Sequence, residues 1–303
     1  MTEQTAMRNT TIRSLVLTIF LTEILAATLS ADASNTNKPA VTTEIKLDGQ
    51  PVHEGIRCYT VTSAYQKGPN KLEVLLPDNY SPTNHYRVLY LLPVNAGTDG
   101  QWGSGIVEAR RLHLQNQYQM ICVAPAYEIL PWYGDNPDQT AVRQSSYVLD
   151  VVIPFVDQTF STVTNKEGRL LTGFSKSGFG ALGLFLMHPD TFGKVAVFDS
   201  FVNLPQLKNY TEWGLAETYG PMENFDRYDV LELMRKQKTI LQKPPCRITI
   251  LAGGPGSRIG VDALQSKLKD YNIPYIYILG STMEHTWTSG WLAPAVASIA
   301  GNN

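Results

Sequence analysis

The residue of this chain whose setting most suggests chemistry is Ser175. Leu170 and Leu171 form a short apolar strand before it, and the run 181–187 after it is typical of a helix. A serine in a tight strand-to-helix turn projects its hydroxyl off the edge of a sheet, where a base can reach it. The N–H groups and positive dipole end of the helix can then stabilise an oxyanion. The pattern predicts a nucleophile elbow; the alternative is a Gly/Ser turn without chemistry.

Small residues surround this serine. Gly173, Gly178 and Gly180 would let backbone segments approach closely without a Cβ clash. The general pattern is Gly-x-Ser-x-Gly, and the last position here is Ser177. The short match is weak by itself, so the prediction depends on finding a base and an acid.

His285 is the predicted base. A serine nucleophile needs a base, and the base needs an acid that fixes its tautomer. In this kind of topology the chain order is serine, acid, histidine. His285 follows both Ser175 and the last apolar strand runs, in the loop 280–287. The alternative is a solvated loop histidine.

Asp199 is the predicted acid. The usual place is the loop after the strand 247–251, but the stretch 253–258 holds no carboxylate. Asp199 closes the strand 194–198, which is the next after the strand of the elbow. The carboxyl ends of neighbouring parallel strands share one edge of a sheet, so Asp199 should lie on the same edge as Ser175.

Other roles for these carboxylates stay open. Asp199 could instead cap a helix or a turn. Asp262 and Glu284 are fallback acids. Asp262 resembles the N-cap of the helix that follows it, and Glu284 is too close in sequence to His285 to reach its ring easily.

Two backbone N–H groups are predicted to form the oxyanion hole. One belongs to Lys176, directly after the nucleophile, and the other to Asn95, in the loop that follows Leu92. Pro93 cannot donate because it has no N–H. The Lys176 side chain could favour anionic substrates, although a solvent-facing position is the simpler expectation.

Three aromatic residues are candidates for substrate binding. Trp102, Trp132 and Tyr133 are expected to line an acyl or aromatic pocket. Packing in the core or at the rim of the site is the alternative for each.

The elements that must position these residues alternate along the chain. Such alternation predicts an α/β fold with a mostly parallel central sheet of about eight strands flanked by helices. The predicted strands are 57–65 and 71–77, an antiparallel pair, followed by 86–92, 120–124, the elbow strand, 194–198, 247–251 and 275–279. The predicted helices are 107–115, 139–160 with a kink at Pro154, the elbow helix, one from Asp229, 261–270 and 288–300.

The chain is predicted to hold one domain, 56–303, after a flexible segment, 34–55. Residues 1–33 resemble a signal peptide: Arg8 and Arg13 precede the apolar run 15–21, and 31–33 is a small-x-small cleavage site. The alternative is an uncleaved signal anchor. The predicted location is therefore secreted or periplasmic, with no membrane span after cleavage.

Composition excludes several classes of function. The formal net charge is −2, so no nucleic-acid partner is implied. Cys58, Cys122 and Cys246 lie far apart and have no ligand-like spacing, so no metal and no cofactor are expected. Buried thiols are the expected state, and at most one disulfide could form.

Four stretches together resemble the putative esterase family of α/β-hydrolases, which includes esterase D, feruloyl esterases and the mycolyltransferase antigens. The resemblance implies an α/β-hydrolase fold and a carboxylic ester hydrolase. The stretches are 88–92 with the following loop and Trp102, 152–156, 173–182 with 188–193, and 285–287 with Trp291.

The chain departs from the family pattern at three places. Pro93 and Val94 stand where the family has His-Gly, Ser177 replaces a glycine, and 254–256 is Gly-Pro-Gly where the acid is usual. In pancreatic lipase, another α/β-hydrolase, the acid follows the strand after the elbow. That analogy favours Asp199.

Three functions follow from this pattern. The first is a secreted serine esterase acting on a small-molecule or glycan-linked ester through an acyl-enzyme. The second is an acyltransferase with the same residues, and the third a non-catalytic binding relative that has lost its acid. The acyl and alcohol groups and the oligomeric state stay open.

Overall fold

The apolar runs of the sequence form a nine-stranded sheet in the computed structural model. The structure describes residues 43–49, 55–97, 100–200, 213–253 and 261–301. The sheet order is β1-β2-β3-β5-β4-β6-β7-β8-β9. The strands are β1 (Thr43–Leu47), β2 (Ile56–Ser63), β3 (Asn70–Leu75), β4 (Arg87–Leu92), β5 (Met120–Pro125), β6 (Arg169–Phe174), β7 (Lys194–Phe198), β8 (Ile248–Ala252) and β9 (Tyr275–Leu279).

Strand direction divides the sheet into two parts. The pairs β1–β2, β2–β3 and β3–β5 are antiparallel, and every pair from β5 to β9 is parallel. Parallel strands need crossover connections, and the helical segments supply them. The predicted antiparallel pair and the mostly parallel sheet are therefore both present.

Helices cover both faces of the sheet. Side chains alternate across each strand, so Val88 and Tyr90 join one apolar cluster and Leu89 and Leu91 the other. The first cluster packs under α4, α5, α8 and α9, and the second under α1 and α10. The helices are α1 (Gly105–Arg111), α2 (Leu114–Gln117), α3 (Gln144–Tyr147), α4 (Ile153–Thr159), α5 (Lys176–Met187), α6 (Leu215–Tyr219), α7 (Met222–Phe225), α8 (Val230–Leu241), α9 (Val261–Asp270) and α10 (Leu292–Ala300).

Strand β1 was not predicted. It lies within 34–55, so a flexible segment does not describe residues 43–47, and the described sheet has nine strands instead of about eight. β1 is an edge strand that is largely exposed, with Ile45 packed against the core. Its weak apolar pattern explains why the sequence did not reveal it.

Two predicted helices are interrupted. The run 107–115 breaks at His113, whose φ of 53° ends α1 and begins α2. The run 139–160 is α3, a π-helical turn at Val148–Val152, and α4, which has Pro154 in its first turn. A proline cannot supply the helical N–H and its ring crowds the carbonyl one turn back, so the wider turn accommodates it.

All three cysteines are free; Cys58 and Cys122 are buried and Cys246 is partly buried. Among the described residues, no helix is long and apolar enough to cross a membrane. The predicted signal peptide, 1–33, lies outside the described residues.

Candidate active site

Ser175 lies in a strained turn between β6 and α5. Its φ of 53° and ψ of −126° are unusual for a residue with a side chain, and such strain costs on the order of 1–3 kcal/mol. Backbone contacts hold the turn: the Ser175 N–H donates to the Phe198 carbonyl (3.1 Å), and the Ser175 carbonyl accepts from the Gly178 N–H (3.1 Å). The Ser200 hydroxyl donates to the same carbonyl at 2.8 Å. The arrangement is a strand-to-helix elbow with a serine at its tip.

Close packing around the elbow requires glycine. A Cβ on Gly178 would lie 2.5 Å from the Ser200 hydroxyl oxygen, and a Cβ on Gly173 would overlap the Ser177 carbonyl. Both positions were expected to permit close backbone approach.

Ser177, where the family pattern has glycine, ties the elbow together. The Phe174 N–H donates to the Ser177 hydroxyl at 2.9 Å, and that hydroxyl donates to the Phe174 carbonyl at 2.8 Å. Ser177 is fully buried. Its side chain therefore satisfies two buried polar groups of the strand end, a contact that glycine cannot make.

Asp199 and His285 are in direct contact: the carboxylate Oδ2 of Asp199 lies 2.5 Å from Nδ1 of His285. Asp199 follows β7, has a φ of 43°, and donates its N–H to the Leu251 carbonyl of β8 at 2.9 Å. A carboxylate can only accept a hydrogen bond, so Nδ1 carries the proton. In the neutral ring, Nε2 is left as the acceptor.

Aromatic side chains and backbone contacts position the His285 ring. Its centroid lies 4.5 Å from that of Phe174, the residue before Ser175, and 4.9 Å from that of Trp102, which meets it edge-on. The Trp291 indole N–H donates to the Glu284 carbonyl at 2.8 Å. These contacts hold the loop after β9 over the edge of the sheet that carries Ser175.

Among the described residues, no hydrogen bond joins the Ser175 hydroxyl to the His285 ring. Nucleophile–base contacts are often long in enzymes without substrate and shorten when substrate binds. Phe174 links the two, since it directly precedes Ser175 in the chain and its ring packs on the His285 ring. The neighbour of Ser175 in the chain is thus in contact with the ring of the predicted base.

The fallback acids do not reach this ring. Asp262 is exposed in the first turn of α9, and Glu284 is exposed beside His285 in sequence. In the described part of the chain, Asp199 is the carboxylate that pairs with His285. Most of the loop where the acid is usual, 254–258, lies outside the described residues.

The predicted oxyanion donors follow adjacent strands. Lys176 is the first residue of α5, so its N–H has no partner within the helix. Asn95 lies in the bend after β4, and β4 pairs with β6 with Leu92 opposite Gly173. Both N–H groups therefore belong to segments that leave the sheet at the same edge as Ser175.

The three predicted substrate-binding aromatics differ in exposure. Trp102 is partly buried beside His285, whereas Trp132 and Tyr133 are 3% and 2% exposed. The Tyr133 hydroxyl donates to the Pro93 carbonyl at 2.6 Å, so it supports the loop that carries Asn95. Trp132 offers its ring face to Lys176, whose Nζ lies 5.4 Å from the ring centroid.

Sequence reasoning missed several residues that support the site. The Gln144 side-chain oxygen accepts from the N–H groups of Trp132 (2.8 Å) and Tyr133 (2.9 Å). Trp213 stacks on Trp132, and Ser200 bonds to the elbow. The position of Ser200 next to Asp199 was the one available signal, because Gln144 and Trp213 approach the site only through the fold.

Comparison with known proteins identifies the family. A family model described as "Putative esterase" matches residues 63–260, which are most of the chain. An esterase of Mycobacterium tuberculosis strain H37Rv is 33% identical over 125 residues, which are 40% of this chain and 26% of that esterase. The match thus spans about a quarter of the length of this curated relative.

Solved structures share the fold. An S-formylglutathione hydrolase from Agrobacterium tumefaciens has a TM-score of 0.68 at 15% identity, covering 84% of this chain and 98% of its own. The fluorophosphonate-binding serine hydrolase FphF of Staphylococcus aureus has a TM-score of 0.64 at 16% identity, covering 86% and 99%. At these identities the similarity establishes the fold, and the predicted α/β-hydrolase fold is confirmed. With the family model, it shows that the chain belongs to the putative esterase family, which its motifs resemble.

Proposed function

We propose that this protein is a serine esterase that hydrolyses a carboxylic ester through Ser175, His285 and Asp199. The observation that carries the proposal is the 2.5 Å contact between Asp199 and His285. It lies at the edge of the sheet where β6 delivers a serine in the strained geometry of an elbow. Family membership supports ester hydrolysis as the class of reaction.

The first half of the reaction forms an acyl-enzyme. Ser175 Oγ attacks the ester carbonyl carbon while His285 Nε2 takes its proton, and Asp199 stabilises the resulting imidazolium. The carbonyl oxygen becomes an oxyanion that accepts hydrogen bonds from the N–H groups of Lys176 and Asn95. Collapse of this intermediate breaks the ester C–O bond, and the imidazolium gives its proton to the leaving alcohol.

The second half repeats these roles with water. His285 removes a proton from a water molecule as the water oxygen attacks the acyl carbon. When the second tetrahedral intermediate collapses, the imidazolium of His285 returns that proton to Ser175 Oγ. An acceptor alcohol in place of water would make the protein an acyltransferase with the same residues. The Asp199–His285 contact argues against the third alternative, a relative that has lost its acid.

Location is part of the same proposal. The basic residues, the apolar run and the small-x-small site in 1–33 favour export with removal of that segment. Export would place the enzyme in the periplasm or outside the cell. The substrate would then be a small-molecule or glycan-linked ester met outside the cytoplasm.

Replacement of the nucleophile tests the proposal. Ser175→Ala is expected to lower kcat/KM for p-nitrophenyl butyrate by roughly 10⁴-fold or more, because the covalent route is lost. Ser266→Ala, at an exposed serine of α9, is the matched control and should keep full activity. Labelling of the wild type by a fluorophosphonate probe should map to Ser175 by mass spectrometry. Equal turnover by Ser175→Ala and the wild type would reject the proposal.

A further inference from the structure

Lys176 presents a cation beside the predicted nucleophile. Its Nζ lies 5.4 Å from the centroid of the Trp132 ring. Trp132 is fixed by its own contacts: its indole N–H donates to the Trp213 carbonyl at 2.8 Å, and its ring stacks on Trp213 at 6.2 Å and 18°. The ammonium therefore lies over an aromatic ring that is itself held by a hydrogen bond and a stacking contact, instead of extending into solvent. The cation–π contact stabilises it there by about 0.5–2 kcal/mol.

This cation has no counter-charge within the described part of the chain. Lys176 is partly buried, and desolvation lowers the pKa of its ammonium to about 8, with no charged group contributing. Asp199, the buried carboxylate after β7, pairs with His285. At pH 7 the ammonium is still mostly protonated, so a positive charge that no described side chain neutralises lies in a poorly solvated position. An anion placed beside it would be attracted more strongly than in bulk water.

The position of Lys176 limits where such an anion can lie. Adjacent Cα atoms are ~3.8 Å apart, and the lysine side chain adds a four-carbon stem, so the ammonium stays within roughly 10 Å of Ser175. That distance corresponds to a group a few bonds from the reacting ester. The Trp132 ring occupies one side of the ammonium. The N–H donors on the other sides of the ammonium remain available to an acceptor.

We propose that Lys176 selects ester substrates that carry a carboxylate a few bonds from the scissile ester. The proposal rests on the proposed function of this site and names its substrate class. Within the described ranges no carboxylate pairs with the Lys176 ammonium, and the substrate's carboxylate would supply that counter-charge.

Matched pairs of esters test this selection. On the acyl side, p-nitrophenyl hemiglutarate is compared with p-nitrophenyl pentanoate; on the alcohol side, p-nitrophenyl butyrate with its ring-carboxylated analogue. The measured quantity is the ratio of kcat/KM for the anionic ester to that for the neutral one. Lys176→Met should lower this ratio about tenfold or more in one pair, because the free energy of a charge-assisted hydrogen bond corresponds to a factor of that size. The pair that responds identifies the side on which the carboxylate lies.

Ratios separate selection from other effects of the substitution. If the substitution displaced the backbone N–H of Lys176, hydrolysis of both esters of a pair would slow equally. That effect would cancel in the ratio. Lys176→Arg keeps the charge and the stacking and should keep the ratio, while Lys269→Met removes an exposed lysine of α9 and should not alter it. An unchanged ratio in both pairs for Lys176→Met would overturn the proposal, even if both esters were hydrolysed more slowly.

The pH dependence supplies a second readout without mutation. Above pH 8 the Lys176 ammonium loses its proton, so the preference for the anionic ester should decline as the pH rises through about 8. Any pH effect on the chemical step itself changes the rates of both esters, and the neutral ester corrects for it. A preference that stays constant from pH 6 to about pH 10 would contradict a role for the ammonium.

The two proposals fail in different ways. Hydrolysis of the neutral esters with a ratio that Lys176→Met leaves unchanged rejects the selection alone. No hydrolysis of any ester by the wild type, together with no fluorophosphonate labelling of Ser175, rejects the proposed function, and the selection with it.

Discussion

Asp199 is the residue on which the proposed triad depends most, because its place in the chain differs from the usual one. The structure pairs it with His285 at 2.5 Å, buries it, and anchors its backbone to β8. A buried acceptor at that position fixes the proton on Nδ1 and leaves Nε2 free to act as a base. An amide at the same position can present its NH₂ group to Nδ1 and favour the wrong tautomer.

Asp199→Asn should therefore lower kcat by roughly 10³–10⁴-fold with little change in the fold, because the imidazole would lose its productive tautomer. Steady-state kinetics on p-nitrophenyl butyrate and circular dichroism measure the two effects. Glu284→Gln and Asp262→Asn, the exposed fallback acids, are matched controls and should stay within a few-fold of the wild type. A larger loss in either control than in Asp199→Asn would assign the acid elsewhere.

At the scale of elements, the elbow depends on a bond between the end of β6 and the start of α5. The Ser177 hydroxyl makes that bond in both directions, with the Phe174 N–H and with its carbonyl. The strained backbone of Ser175 lies between the two ends. A fully buried hydroxyl that closes such a turn stabilises the geometry on which the nucleophile depends.

Ser177→Ala should lower the free energy of unfolding by about 1–3 kcal/mol, because two polar groups of Phe174 lose their partner in the interior. Urea denaturation measures the change, and kcat should also fall, by up to roughly 10²-fold if Ser175 shifts. Ser177→Gly restores the family's residue but not the hydroxyl, so we expect the same loss of stability. Wild-type stability in the glycine variant would show that the hydroxyl is dispensable.

The elements that could be predicted are those whose pattern is contained in their own stretch of sequence. The apolar runs 194–198 and 275–279 predicted β7 and β9 with the observed bounds, and 261–270 predicted α9. A continuous apolar run is a local property of the chain, and it predicts both the buried strand β7 and the partly exposed edge strand β9. The edge strand β1 has no such run, since most of its side chains are exposed, and the break at His113 is a single backbone angle, φ 53°, that interrupts an otherwise helical pattern.

The same distinction applies to the site. Ser175 and His285 could be proposed from spacing and chain order, and Asp199 from the rule that neighbouring parallel strands end at one edge. The stacking of Lys176 on Trp132 could not, since it requires knowing that the loop before α3 returns to the start of α5. Tertiary contacts between sequence-distant loops carry no periodic signal.

At the scale of the whole molecule, the described strands form one sheet. The candidate site lies at the carboxyl ends of the interior strands β6 and β7, and β1 is the outermost strand on one side. β1 pairs along its length with β2, and Asp48 beyond it bonds to Thr60 (2.7 Å) and Lys71 (2.7 Å). The predicted signal peptide, 1–33, ends before β1 begins. Removal of that segment would therefore leave the sheet complete.

Exported protein should begin at or near Ser34, which N-terminal sequencing of the secreted or periplasmic chain would show. A chain begun at Ser34 should hydrolyse p-nitrophenyl butyrate like the exported protein and melt at the same temperature, because it keeps β1.

A chain begun at Ile56 lacks β1 and should melt several degrees lower, since each kcal/mol of lost stability corresponds to about 2–4 °C in a domain of this size. Activity should persist below that temperature, because β1 and β6 lie on different parts of the sheet. Exported protein that retains Met1 would contradict cleavage, and an Ile56 chain with unchanged melting would show that β1 contributes nothing to the fold.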